Sequence, residues 1–381
     1  MSKPGGELVF IGLSLSSSWG NGHATTYRAL LRGLSIIGQK VLFLERDVPW
    51  YAANRDLPNP EFCELGFYAS VEELAQKFGP RIAGARAVIV GSYVPDGIAV
   101  LDLVLEQAQG RTAGLTAFYD IDTPITLAAL DTGGADYIAI RQIPLLDLYF
   151  SFTGGPTLGR LAEAFGARRP CALYCAVDET QWCPMAATPR WDLGYLGTYS
   201  PDRQPALERL LLQPARHLPR MRFVVAGPQY PDSIDWPDNV ERLEHVAPAD
   251  HAAFYAAQRF TLNITRAAMI AAGWSPSVRL FEAAACGTPI ISDRWNGLTE
   301  LLPEHDAVLV ADDTDRVVAA LTNLAESDRR RIGQRARSIV LDAHTGVARA
   351  RELLRQVEAA ARSRTEDLPV PGASRLEAGY Q

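Results

Sequence analysis

Short apolar runs alternate with helical patterns along most of this chain, and the alternation starts twice. "ELVFIGLSL" precedes a helical pattern from about Ala24 to Ile37, then "KVLFLE". A helix around Val71 to Ile82, "AVIVGSY", a helix around Gly97 to Gln107 and "GLTAFYDID" follow. Strands that are apolar on both faces belong to parallel sheets with helices on either side. The order then restarts with "WDLGYLGTY", a helix from about Pro205 to Arg216 and "RFVVAG". "VERLEHV", the helix "DHAAFYAAQ", "FTLNIT", a helix through Glu282 and "PIISD" complete it. The fold class expected is α/β, with two Rossmann-like doubly wound domains facing a cleft.

A chain of 381 residues suits two domains of this kind. The expected division is 1–180 for the first and 181–345 for the second, with the proline-bearing stretch Asp178 to Arg190 as linker. A helix over 346–362 should cross back to the first domain, and the polar segment 363–381 should be disordered. Ligands of such sheets sit beyond the carboxyl ends of the strands.

Net charge is −7, which argues against a nucleic-acid surface. Cys63, Cys171, Cys175, Cys183 and Cys286 are odd in number, which fits free thiols better than a disulfide frame. No His stands near the central three and CxxC spacing is missing, so zinc is not expected. No apolar run reaches the roughly 18 residues of a membrane span, and no basic region leads to a cleavage site. The expectation is a cytoplasmic protein.

"SPSVRLFEAAACGTPIISD" sets one acid in an apolar helix pattern. Ser275 and Pro276 form a helix start, Ser275 as cap and Pro276 at the first helical position, and Gly287 and Pro289 a stop. The amino end near Ser277 and Val278 is then an anion site. Glu282 stands six residues past Pro276, roughly 9 Å along the axis, about the span from a diphosphate to its ribose.

These segments resemble the group 1 sugar-nucleotide glycosyltransferases of GT-B fold, particularly their spore-maturation-protein-like branch. "RLFEAAACGTPIISD" is similar to that family's donor-binding E-A-x-A-x-G-x-P-V element, and "YCAVDETQWCP" to its interdomain G-V-D-x-x-x-F-x-P. "YLGTYSPDRQ" resembles the loop entering the second domain, and "VERLEHVAPADHAAFYAAQRFTLNIT" the base-binding region. The resemblance implies that Glu282 holds the donor ribose and that His245 and Val246 line the base through their backbone; Arg203 falls where the family has a Lys on the diphosphate, and Thr198 where it usually has Arg. Arg266 and Arg279 lie outside the general pattern, but their guanidinium forks suit a diphosphate. Retaining members carry a second Glu eight positions before the ribose Glu. Here that position is Trp274, either a stacking wall for the donor or core.

On the acceptor side, "SLSSSWGNGHATTYRALLRGL" follows the first strand. Gly20 and Gly22 allow close backbone approach, Ser16, Ser17 and Ser18 add hydroxyls, and His23 stands at the cleft mouth. Asp120 and Asp122 of "AFYDIDTP" end a strand on the same sheet edge. One of them is expected to orient His23 as the base that takes the acceptor proton. The same pair could hold Mg²⁺ or Mn²⁺, but the resemblance to GT-B enzymes implies that a helix end and basic side chains neutralise the leaving diphosphate, without metal. Trp50, Tyr51 and Arg55, in the loop after the second strand, are candidates for acceptor contact.

The expected activity is transfer of a sugar from a nucleoside-diphosphate sugar to an unidentified small-molecule or glycan acceptor, with no cofactor beyond that co-substrate. A nucleotide-sugar epimerase and a non-catalytic nucleotide-sugar-binding protein are the alternatives. A nicotinamide-dependent oxidoreductase is disfavoured, because neither half has a complete glycine fingerprint.

Overall fold

The computed structural model describes residues 6–19, 22–108 and 114–366. Its first sheet contains β1 (Leu8–Gly12), β2 (Val41–Arg46), β3 (Glu64–Tyr68), β4 (Ala87–Gly91), β5 (Leu115–Asp120), β6 (Leu148–Ser151) and β7 (Pro170–Ala172). All pairings are parallel, in the order β3-β2-β1-β4-β5-β6-β7. The second sheet contains β8 (Trp191–Leu196), β9 (Phe223–Ala226), β10 (Val240–Leu243), β11 (Gln258–Asn263), β12 (Ile290–Ser292) and β13 (Leu309–Val310). It too is parallel, ordered β10-β9-β8-β11-β12-β13. In both, the strand order reverses beside the first strand of the domain. The crevice at that switch point is where such folds bind ligands.

The strands owe their positions to two-sided burial. In β1, Leu8 and Phe10 join one core layer, while Val9 and Ile11 join the layer on the other face. The alternation of side chains along a strand makes a continuous apolar run fit only a covered sheet. Four strands went unread in the sequence: β3, β6, β7 and β13. The edge strand β3 is half-exposed, and β13 is two residues long. The apolar run "IPLLDLYFSF", interrupted by Asp147, holds β6. Among the described residues no helix is long and apolar enough to cross a membrane. The five cysteines are all free.

Two crossings connect the halves side by side. The Val177 N–H bonds His344 O at 3.0 Å, and the Gly346 N–H bonds Val177 O at 3.3 Å. The helix Gly346–Glu366 then lies against the helix Gly22–Ile36, burying Ala350, Leu353, Val357 and Ala360. Backbones touch where they cross. A Cβ on Gly33 would stand 2.0 Å from Gly346 O, and one on Gly346 would stand 2.0 Å from Ala29 O. This helix continues past the expected end at 362 to Glu366, and Arg364 donates to Gly114 O at 2.7 Å. That bond anchors residues expected to be disordered; residues 367–381 of the expected tail lie outside the described residues.

Candidate active site

The carboxyl ends of the two sheets face each other across the cleft, and the loops there are held by two acids, Glu45 and Asp56. Glu45, at the end of β2, is fully buried and accepts from the N–H groups of Leu15 (2.7 Å) and Ser16 (2.9 Å). It also accepts the hydroxyls of Ser14 (3.0 Å) and Ser16 (2.7 Å). Asp56 takes the N–H and hydroxyl of Ser18 and a two-pronged Arg28 guanidinium, which together hold its carboxyl far below the usual range. The Ser17 hydroxyl bonds Asn54 O at 2.7 Å. The serines expected to offer hydroxyls to a ligand therefore shape the loop instead. Gly22 opens the following helix and borders the cleft, whereas Gly20 lies outside the described residues.

A cavity of about 450 Å³ runs along the second domain, lined by Thr198, Arg203, His245, Val246, Ser277, Val278, Arg279 and Glu282. The helix behind it begins later than expected, at Val278, and ends at Ala285. Ser275 cannot cap it, because its hydroxyl meets Thr153 Oγ1 of the first domain at 3.0 Å. Ser277 takes the cap position in extended conformation, yet its hydroxyl bonds Asn263 Oδ1 at 2.9 Å. The helix start thus has no side-chain cap, and its amino end remains available to an anion. Its stop is as expected. Gly287, at φ +73°, donates to Ala284 O and Thr288 donates to Ala283 O, the paired bonds of a left-handed C-cap.

Glu282 lies one turn into this helix, roughly 6 Å along its axis from Val278. Its side chain is 9% exposed, and it borders the cavity. The Tyr255 hydroxyl donates to Oε2 at 3.2 Å, and His251 Nδ1 stands 3.8 Å from the same oxygen. No hydrogen bond to Oε1 occurs among the described residues. At the cavity's other end Arg203 donates to Thr198 O at 2.7 Å, and its buried Nε has no hydrogen-bond partner among the described residues. Arg279 donates to Leu196 O at 2.5 Å and lies over the Tyr195 ring, 5.0 Å from its centroid. Carbonyls and a ring position both guanidiniums, and neither forms an ion pair among the described residues.

A second cavity of about 230 Å³ adjoins the first and is bordered by His23, Asp122, Phe152, Arg203, Arg266 and Arg279. Burial pushes the His23 imidazole down to about 4, so it is neutral at pH 7. Its ring stands edge-on to Tyr93, 5.3 Å between centroids. The Tyr93 hydroxyl in turn donates to Asp122 Oδ2 at 3.2 Å. Arg266 Nη1 reaches across the cleft to 3.7 Å from that oxygen, while Asp122 Oδ1 is enclosed with no donor among the described residues. Burial raises the Asp122 carboxyl above its usual range.

Two expectations are corrected here, and Trp274, expected as either a donor wall or core, takes a packing role. Asp120 does not face His23. It is wholly buried, bonded by Thr126 and Tyr149 at 2.7 Å each, and burial pushes it up to about 6. The strand ends at Asp120 and Asp122 opens the next helix, Thr123–Thr132, so the two carboxylates part instead of pairing on one face. Trp274 borders neither cavity. At φ +42° it wedges between Gly155 and Gly297, where an added Cβ would come within 2.5 Å of its ring, and its indole donates to Glu300 at 2.9 Å. Its carbonyl accepts from Gly154 of the first domain at 2.9 Å, so it ties the domains together. Trp50, Tyr51 and Arg55 also stand apart from both cavities. Trp50 is 61% exposed, and Arg55 is held by Asp47 at 2.6 Å over the Phe67 ring.

Tyr93, His251 and Tyr255 were missed in the sequence. His251 and Tyr255 are four apart on one helix face, a spacing that was legible. Tyr93 left no pattern. It follows β4 with φ +63°, a conformation its type rarely adopts.

Solved structures with this arrangement of two sheets are numerous. The sucrose-phosphate synthase of Thermosynechococcus elongatus superposes with TM-score 0.63 at 14% identity, over 93% of this chain and 100% of that one. Anabaena HepE in complex with UDP gives 0.63 at 12%, over 93% and 100%. The catalytic domain of Arabidopsis thaliana starch synthase IV, bound to ADP and acarbose, gives 0.66 at 10%, over 94% and 100%. The fold is GT-B. Residues 203–355 of this GT-B chain also match the glycosyl transferase-like family model, which takes in Arg203, Arg266, Arg279 and Glu282. No curated protein matches the sequence.

Proposed function

We propose that this GT-B protein transfers a sugar from a nucleoside-diphosphate donor to an acceptor hydroxyl or amine. The observation that carries the reading is Glu282: a carboxylate held by Tyr255 at the base of a cavity whose far end presents Arg203, Arg279 and an uncapped helix start. An acid one turn from an anion site matches a ribose and its diphosphate, since one carboxylate accepts from two neighbouring hydroxyls. The complexes of HepE with UDP and of starch synthase IV with ADP support a nucleotide in this crevice.

In the reaction the acceptor oxygen bonds to the anomeric carbon as the bond from that carbon to the diphosphate breaks. The departing negative charge falls to Arg203, Arg279 and the amino end of the Val278 helix, preorganised in a site closed to water by the facing domain. His23 and Asp122 border the space where the acceptor must stand. Asp122, oriented by Tyr93, receives its proton. The neutral His23 is a second acceptor, whose basicity rises when the diphosphate brings charge beside it. Transfer without a divalent metal is part of the reading, since the cations are supplied by arginine. Its motifs keep it within the spore-maturation-protein-like branch of the group 1 enzymes.

Incubation with UDP-, TDP-, GDP- and ADP-glucose, each with and without EDTA, tests this through release of free nucleoside diphosphate. Release from one donor, undiminished by EDTA and abolished in Glu282→Ala, is expected. Release from none, with no stabilisation by any nucleotide, would overturn it. A changed sugar without an acceptor would instead indicate the epimerase.

A further inference from the structure

Beside the inner cavity lies a largely apolar groove. The helix Ala267–Ala272 reads "AAMIAA": every residue is apolar and none is buried. Ile270 is 39% exposed, an unusual surface for a short helix that caps no core. The helix packs beside Thr123–Thr132 of the first domain, and between them lies a groove of about 460 Å³. Ala268, Ala271 and Ala272 line one side of it and Pro124, Leu127 and Ala128 another, while Pro156, Thr157 and Arg160 of the helix Pro156–Phe165 complete it. Pro124 borders both this groove and the inner cavity, and Met269 of the same helix borders the inner cavity. The groove therefore adjoins the place assigned to the acceptor, with Pro124 as a shared wall.

Chemistry divides between the two. The titratable groups, His23, Asp122 and Arg266, gather in the inner cavity. In the groove alanine, leucine and proline predominate, with Thr157 and the Asp131–Arg160 ion pair (2.5 Å) as its polar members. A polyhydroxylated glycan would leave its hydroxyls unpaired against such walls, at a cost for each. A molecule with one reacting hydroxyl and an apolar body fits both. We infer that the acceptor carries an alkyl or aryl group beyond its reacting hydroxyl, and that this group lies in the groove between Thr123–Thr132 and Ala267–Ala272. The inference rests on the glycosyltransferase reading, because that reading makes the inner cavity an acceptor site. The wall shared with that cavity favours a substrate group over a second protein, which would need only the outer surface.

The test is calorimetric titration of the full chain, with UDP present, against n-butyl, n-hexyl and n-octyl β-glucosides below their micellar concentrations. Each buried methylene strengthens binding by up to about fourfold, so affinity should rise at least tenfold from butyl to octyl. Ala271→Glu should reduce that rise to less than threefold. Ile36→Glu, at a 72% exposed apolar residue outside the groove, should preserve it. Equal affinity across the series, or a rise that Ala271→Glu leaves intact, would overturn the inference. Thermal shift with UDP on the same proteins reads the nucleotide site separately. Loss of that shift would overturn the glycosyltransferase reading, and the inference with it, whereas a normal shift with a flat series overturns the inference alone.

Discussion

The Tyr255 hydroxyl donates to Glu282 Oε2 at 3.2 Å, so the carboxylate at the base of the larger cavity is fixed before any ligand arrives. Both residues are buried, which makes the bond more valuable than one in water. Tyr255→Phe keeps the ring and removes the donor. A hydrogen bond to a charged group is worth about 1.5 kcal/mol or more, so nucleoside-diphosphate affinity should fall about tenfold in calorimetric titration. An unchanged affinity would mean that Glu282 needs no positioning.

Tyr93 performs the equivalent service for Asp122 through a bond of 3.2 Å. That bond favours the charged carboxylate, so Tyr93→Phe should raise the Asp122 pKa further. If Asp122 receives the acceptor proton, the acid limb of the pH–kcat profile should move to higher pH. A fall in kcat with an unmoved limb would assign Tyr93 to structure alone.

His23 contributes to stability with a definite sign. Its imidazole titrates near 4 in the fold, against 6.5 when exposed. Between those values the unfolded chain binds the additional proton, so this contribution is full above pH 6.5 and shrinks as pH falls toward 4. His344, down to about 3, acts in the same direction, and Asp120, up to about 6, acts in the opposite one. Comparison with His23→Gln isolates the one group. Between pH 7 and pH 5 the variant should lose about 2 kcal/mol less stability than the wild type in urea unfolding. Equal losses would contradict a neutral, buried His23.

Gly346 allows the return helix to touch the helix Gly22–Ile36 backbone to backbone. Gly346→Ala places a methyl group 2.0 Å from Ala29 O, and neither backbone can yield easily. A loss of about 1–3 kcal/mol in urea unfolding is expected, with faster hydrogen exchange along Gly346–Glu366. Wild-type exchange in that helix would show that the crossing is looser.

Much of this architecture could be read from the chain because its parallel strands are buried on both faces. Runs such as "ELVFIGL" and "FTLNIT" have no alternative as helices or half-exposed strands. β3 escaped because an edge strand needs only part of its surface buried. The donor side was legible for a different reason: Glu282 stood alone in an apolar helix, and an isolated acid demands an explanation. The acceptor side was less so, because what decides it is side-chain direction. Asp120 and Asp122 are two apart in sequence, yet the strand ends between them, and one carboxylate enters the core while the other meets the cleft. Trp274 took the place of an expected glutamate, and only its packing between Gly155 and Gly297 shows that it joins domains.

The account as a whole depends on Glu282 gripping the sugar of a nucleotide whose diphosphate lies at the start of the helix Val278–Ala285. The most direct measurement is the dissociation constant of UDP, or of whichever nucleoside diphosphate binds most tightly, for the wild type and Glu282→Gln. The amide preserves shape and removes charge. The account predicts an affinity between about tenfold and a hundredfold weaker, with the melting temperature of the free protein little changed. Equal affinity in the two proteins would contradict it.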